Sequence, residues 1–337
     1  MIATCAALRN WIGNVDRIHG RIKSARRRGR PYVYSTTLII RCYLLMLLNP
    51  RLRQHAALHA FLVQHAMIRR LVGLDEVPHR TTLSRRFKAL EDPLKARIWA
   101  MGGAFVTSGL VELHVLLADG TLHEAAGPSW AAQYKDQGIV PPTLRHIDQA
   151  AGWGKSPYRG WVWGYRSHPV VALTADLQPI PLLMDVTPAD VQDNTILLRQ
   201  LPWLPDEATA LLLDSSYEDQ TLVQAWQRQD DAGCLDRWLL IDPKKRPGRP
   251  AAWRQQLQVW RHIAEPELYQ LRGTRIEPFF AHWKEAFDLQ LLPLQGQDAI
   301  VYLLLAMYAY QLLIWDNLRA NRPTYAYKHL ILAQDDL

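Results

Sequence analysis

Two short runs, LHVLLAD (Leu113–Asp119) and ALLLD (Ala210–Asp214), decide the fold class: each is a string of apolar residues, as in a buried strand, that ends in an acid. WLLID (Trp238–Asp242) is a third run of this kind. Between the first two, HPVVALTA (His168–Ala175) and IPLLMDV (Ile180–Val186) are joined by the turn-like DLQP, which predicts a hairpin. Helical stretches follow: ADVQDNTILLRQL after the hairpin and YEDQTLVQAWQRQ after Asp214. Strands alternating with helices from residue 111 onward predict an α/β architecture. In such sheets ligands collect at the carboxyl ends of the strands. Asp119 and Asp214 on neighbouring strands would place two carboxylates side by side, where they repel and need a cation. All-oxygen ligands select Mg²⁺ or Mn²⁺ over zinc. Asp242 reads as a turn or cap residue.

A third acid lies in YQLRGTRIEPFFAHWKEAFDL, residues 269–289. Proline is tolerated only in a helix's first turn, so Pro278 predicts a helix starting near Arg275, with Glu277 in its opening turn. Lys284 lies seven residues on, two turns along the same face and about 10.5 Å away. Arg272, Arg275 and Lys284 around one glutamate make a mixed site, an acid for metal and cations for phosphate. The plainer reading is an ion-paired amphipathic helix. His123 and His168 lie near the acids in sequence, either to touch a phosphate or to make a structural hydrogen bond. Asp190, Asp193, Glu218 and Asp219 read as helix caps and surface groups.

The front of the chain has a different character. Residues 1–110 hold 19 Lys/Arg against 5 Asp/Glu, while the rest holds 20 against 27. A basic module joined to a mildly acidic one predicts a polyanion partner. This front part reads as helical, apolar at Leu38–Leu48 and periodic through Ala56–Leu74. PHRTTLSRRFKAL (Pro78–Leu90) predicts a helix capped by Thr81 or Thr82 that presents Arg85, Arg86 and Lys88 for a DNA groove. Arg28 and Arg30 flank Gly29 in SARRRGRPYVY, a minor-groove hook pattern, and KKRPGRP (Lys244–Pro250) is a weaker second version. For both, contact with phosphate is the safer expectation.

Among the 337 residues, 49% are hydrophobic and 21% charged, which is a globular composition. The 3 cysteines form no metal or disulfide framework, which fits a reducing cytosol. No secretory signal is visible at the start. Residues 300–315 (IVYLLLAMYAYQLLIW) carry no charge, but sixteen helical residues span about 24 Å, short of a ~30 Å hydrocarbon core. A buried core helix and no membrane partner are expected.

Several pieces, in order, resemble bacterial insertion-sequence transposases with a DDE domain, of the fourth and fifth insertion-sequence families. They are GRPYVYS, PHRTTLSRR, ADGTLHEA, WGKSPYRGWVWGYRSHPVV, VTPADVQDN, LLLDSSYED and the segment Tyr269–Lys284, and they cover about residues 17 to 316. The resemblance implies an all-α N-terminal DNA-binding domain (1–110), a ribonuclease-H-like catalytic domain (111–325) built on a mixed five-stranded sheet flanked by helices, and a short tail (326–337). It implies Asp119, Asp214 and Glu277 as a catalytic triad holding two Mg²⁺ (or Mn²⁺) ions. Tyr269, Arg272 and Lys284 match the family's Tyr-x-x-Arg…Glu-x6-Lys signature, whose polar members bind the transposon end. That signature usually places three residues between Arg and Glu. Here four separate Arg272 from Glu277, which leaves Arg275 as an alternative phosphate contact. Asp214 and Glu277 are 62 residues apart, too close for the large β-rich insertion of some relatives. His168 matches a position that is often histidine. The expected activity is cleavage and transfer of DNA strands at terminal inverted repeats, by a homodimer on double-stranded DNA in the bacterial cytosol. The rival expectations are an inactive transposase kept as a DNA-binding protein, a nuclease or resolvase of the same core, and a membrane protein built on residues 300–315.

Overall fold

The computed structural model describes residues 2–19, 33–227, 237–244, 247, 250–264 and 266–327. Arg28, Arg30, most of the second basic proline-rich stretch and the tail beyond 327 lie outside the described residues.

The three apolar runs are strands β1 (Glu112–Ala118), β6 (Ala210–Leu213) and β7 (Trp238–Ile241), and they pair in parallel in that order. The expected hairpin is β4 (Gly160–Leu173) with β5 (Pro179–Pro188). β4 runs antiparallel to both β1 and β5. The central order is therefore β5-β4-β1-β6-β7 with only β4 reversed, the ribonuclease-H-like arrangement. Among the described residues the sheet has seven strands, two more than the central five. β2 (Thr121–Glu124) continues the line of β1 along one edge of β4, and β3 (Gly152–Ser156) continues that of β5 along the other. Both pair with the amino-terminal half of β4, which is 14 residues long and overshoots the central sheet.

Among the described residues six helices precede the sheet: α1 (Ile2–His19), α2 (Thr36–Leu48), α3 (His55–Gln64), α4 (Ala66–Val72), α5 (Arg80–Lys88) and α6 (Glu91–Thr107). α7 (Ala132–Lys135), α8 (Asp193–Gln200), α9 (Gln220–Trp226), α10 (Ala252–Ile263), α11 (Pro266–Leu271), α12 (Glu277–Phe287) and α13 (Gln297–Arg319) follow. α5 is capped by the His79 ring, which accepts from Thr81 N at 3.3 Å, and not by Thr81 or Thr82.

α13 contains the uncharged run, and its residues from Val301 to Ile314 are all buried. It packs against β5 and α6 on one side and against α1, α2 and α5 on others. Each fully buried Leu or Ile there is worth about 1.5–3 kcal/mol relative to exposure. Gln311, the one strongly polar residue of the run, donates to both Ile98 O (3.0 Å) and Pro181 O (2.9 Å), tying α6 to β5 through the helix. Polar ties also cross between the front helices and the rest: Asn14 to Asp316 at 2.5 Å, Arg53 to Asp288 at 2.7 Å and Gln297 to Glu91 at 2.6 Å.

Candidate active site

β1 and β6 lie side by side with Leu117 opposite Leu212. Two residues further, Asp119 and Asp214 leave the ends of adjacent parallel strands, which run about 4.8 Å apart. Burial pushes the Asp119 carboxyl up to about 7, and Asp214 beside it pushes the same way; Arg272 and the Gly120 N–H oppose them. A carboxyl held half-protonated near neutrality next to a second carboxylate is a site short of positive charge. Asp214 Oδ1 accepts from the backbone and the hydroxyl of Ser216, which fixes its direction. Asp119 Oδ1 accepts from Gly120 N at 2.8 Å, and its Oδ2 faces Arg272 at 3.2 Å.

Arg272 reaches the acids because of an irregular helix. Residues Arg272–Ile276 form a π-helical turn between α11 and α12. Its hydrogen bonds run from i to i+5, so residues five apart stack over one another. In an ordinary α-helix the same spacing would put Arg272 and Glu277 roughly 140° apart. The wide turn absorbs the fourth residue between them and returns Glu277 to the face of Arg272. Arg272 is thus the arginine at the acids, and Arg275 makes no ion pair with them. Pro278 sits in the first turn of α12, as expected. Glu277 is exposed. Among the described residues no three His, Cys, Asp or Glu side chains stand close enough together to hold a metal ion. The Asp119 and Asp214 carboxylates fit a hard divalent cation, through hard oxygens and missing charge.

The other signature residues make definite contacts. The Tyr269 hydroxyl donates to Leu213 O (3.2 Å) and accepts from Asp242 N (3.1 Å), so it bridges the ends of β6 and β7. Arg261 lies over its ring at 4.1 Å. Lys284 donates to Leu122 O at 2.8 Å, and burial followed by Arg159 lowers its ammonium to about 8.

Several expectations need correction. Asp193 is no surface cap: it is buried, ion-paired with Arg166, 2.9 Å from His168 Nδ1, and close against Gly120. A Cβ on Gly120 would lie 2.1 Å from Asp193 Oδ1, so only glycine fits after Asp119. Glu218 is also inside, paired with Arg254 at 2.7 Å. Asp219 does cap α9, accepting from Leu222 N, and Asp190 pairs with Lys135 on the surface. His168 is buried, with Nε2 2.8 Å from Thr187 Oγ1. His123 is fully buried between Leu289 O and Ser167 Oγ, and burial lowers it to about 3, so it stays neutral. Arg86 is not presented outward: it is 7% exposed and donates to Thr36 Oγ1. Arg85 and Lys88 are exposed, and with Arg80 they line an open groove facing Gln295. Sequence reasoning missed Arg166 and Asp193 as a pair, although both lie in stretches that matched relatives.

Solved structures align only loosely. A Mos1 transposase paired-end complex with the left transposon end aligns at 10% identity over 90% of this chain and 83% of that one, with a TM-score of 0.20. A pre-cleavage Mos1 transpososome aligns at 10% identity over 91% and 85%, also at 0.20. No curated protein matches in sequence. Residues 112–312, from the start of β1 to the middle of α13, match the family model for the transposase DDE domain, and the chain belongs to that family.

Proposed function

We propose that this chain is the transposase of a bacterial insertion sequence, which binds terminal inverted repeats, cuts there and joins the freed ends to target DNA. The observation that carries the reading is the Asp119–Asp214 pair on adjacent strand ends with Arg272 against it. Asp119 and Asp214 would hold Mg²⁺ or Mn²⁺, and Glu277 would complete the set for two ions. When bound, such ions lower the pKa of a water and stabilise charge on the leaving oxygen. Arg272 and Lys284 orient the scissile phosphate. Water adds to phosphorus, the P–O3′ bond breaks in line, and the products are a 3′-hydroxyl and a 5′-phosphate. The 3′-hydroxyl then attacks a target phosphodiester and displaces another 3′-hydroxyl, so bond number is conserved. Arg85 and Lys88, with Arg28 and Arg30, supply duplex contacts; Tyr269 holds the strand ends that carry the site. The acting form is a homodimer on DNA in the bacterial cytosol.

The test is metal-dependent cleavage and joining of a DNA carrying the element's ends. Asp119→Asn should lower both by at least about 100-fold, on the scale of losing a principal charge-stabilising group, with DNA binding kept. Wild-type rates from that variant would sink the assignment. A second reading, a DNA-binding relative without catalysis, is favoured by the exposed position of Glu277. Metal-independent binding with no cleavage by the wild-type chain would support it. Cutting without joining would instead point to a nuclease.

A further inference from the structure

The line of strand that carries Asp119 is interrupted at Asp119 itself. Ala118, the last residue of β1, pairs with Val170 of β4, and Thr121, the first of β2, pairs with Ser167. Asp119 and Gly120 fall in the gap between these pairs, across from Pro169 and His168. Pro169 has no N–H to give, and the His168 carbonyl accepts from Gln200 Nε2 at 3.0 Å. The Gly120 N–H turns to the Asp119 carboxylate, 2.8 Å away. The strand ladder therefore leaves unfixed the two residues that aim the first acid.

Helix α8 stands at this gap. Its first residue, Asp193, and its last, Gln200, are seven apart and so share one face. Asp193 packs so closely on Gly120 that a Cβ there would lie 2.9 Å from Asp193 Cγ and 3.0 Å from Arg166 Cδ. Only a glycine permits such an approach. Asp193 is itself anchored. It is 7% exposed, ion-paired with Arg166 of β4, and 2.9 Å from His168 Nδ1. The other ring nitrogen of His168 lies 2.8 Å from Thr187 Oγ1 of β5. The carboxylate behind the Asp119 turn is thus tied to the sheet where the turn is not.

We propose that Asp193 is a positioning residue for Asp119: it takes the place of the missing ladder behind Gly120 and so holds the Asp119 carboxylate beside Asp214. The inference rests on the reading of Asp119 and Asp214 as cation ligands, and adds a residue that touches neither the cation nor DNA. Groups that fix the direction of a metal ligand commonly change metal affinity by about 10–100-fold when they are removed.

The test is Mn²⁺ binding by the full chain, read by calorimetry as the signal that Asp119→Asn removes, alongside metal-free DNA binding. Asp193→Ala should weaken Mn²⁺ binding by at least about tenfold. Asp193→Asn keeps the shape and an acceptor for Arg166, and should lose less than about threefold. Metal-free DNA binding should be unchanged in both, which a lost fold would not allow. Gly120→Ala should act as Asp193→Ala does, because its methyl enters the space of the Asp193 carboxylate. The two changes together should cost no more than either alone; losses that multiply would overturn the proposal. Equal losses in Asp193→Asn and Asp193→Ala would make the effect one of charge and overturn it as well. Should Asp193→Ala not fold, Gly120→Ala against Asp193→Asn decides, with loss expected in the first alone. If the wild type binds Mn²⁺ at Asp119 and the variants match it, only the positioning role falls. If the wild type binds none, the cation-ligand reading falls and the positioning role with it.

Discussion

Lys284 shows how one residue ties the fold to the chemistry. Its ammonium is turned onto Leu122 O inside a half-buried site, and burial lowers it to about 8 from an ordinary 10.5. In the free protein it loses its proton as pH rises through about 8. In its proposed role a phosphate beside it would favour the charged form, so binding above that pH would take up a proton and affinity would fall as pH rises. We expect DNA affinity, measured by anisotropy, to decline from about pH 7.5 to about pH 9 in the wild type. Lys284→Met should bind more weakly and show a flatter profile. The same shift acts on stability with the opposite slope. Between about 8 and about 10.5 the unfolded chain holds the extra proton, so this group's contribution to stability rises with pH across that window. Some residues could be placed from sequence and others could not. Asp119 and Asp214 were legible because each closes an apolar run. Asp193 was not, since it opens α8 while its neighbours Arg166 and His168 lie on β4, and the burial that joins them leaves no local pattern. Arg86 was misjudged because the side of a short helix that faces inward is set by what it packs on, here Thr36 of α2.

The elements that carry the site differ in how openly the sequence displays them. The five central strands and their hairpin were legible from apolar runs and turn residues. β2 and β3 were not, being four and five residues long and containing Gly154, His123 and Lys155 where a strand pattern wants apolar residues. The π turn left one trace, the extra residue between Arg272 and Glu277, which reads as a mismatch until the wide turn absorbs it. This has a testable consequence. Deleting Thr274 would return the segment to an ordinary α-helix with Arg272 and Glu277 four apart, still on one face. The deletion should keep DNA cleavage within about tenfold of wild type, by the argument that facing is preserved. Deleting Ala281 instead rotates Lys284 by roughly 100° relative to Glu277 and should reduce cleavage far more. Equal effects from the two deletions would show that the π turn is not what sets the face.

At the scale of the whole molecule, one buried helix joins everything. α13 touches the front helices and the sheet at once, and the buried cluster runs without a break from Leu8 to Ile314. Leu304→Ala should cost about 2–5 kcal/mol, the usual price of a large-to-small core change. Because the front helices and the sheet share α13, denaturant unfolding should remain a single transition in that variant. Two separated transitions, read by circular dichroism and tryptophan fluorescence, would show that the two parts hold together independently. The placement of α13 also sets the order in which the fold can be made. During synthesis the six front helices and all seven strands leave the ribosome before residues 297–319 do. Until then the nascent chain has no partner for the apolar faces that α13 covers, and such surface invites aggregation or chaperone capture. The protein therefore becomes competent only once residues 297–319 have emerged, so a ribosome that stalls before residue 297 releases a chain that has its acidic pair but lacks the helix that joins its core.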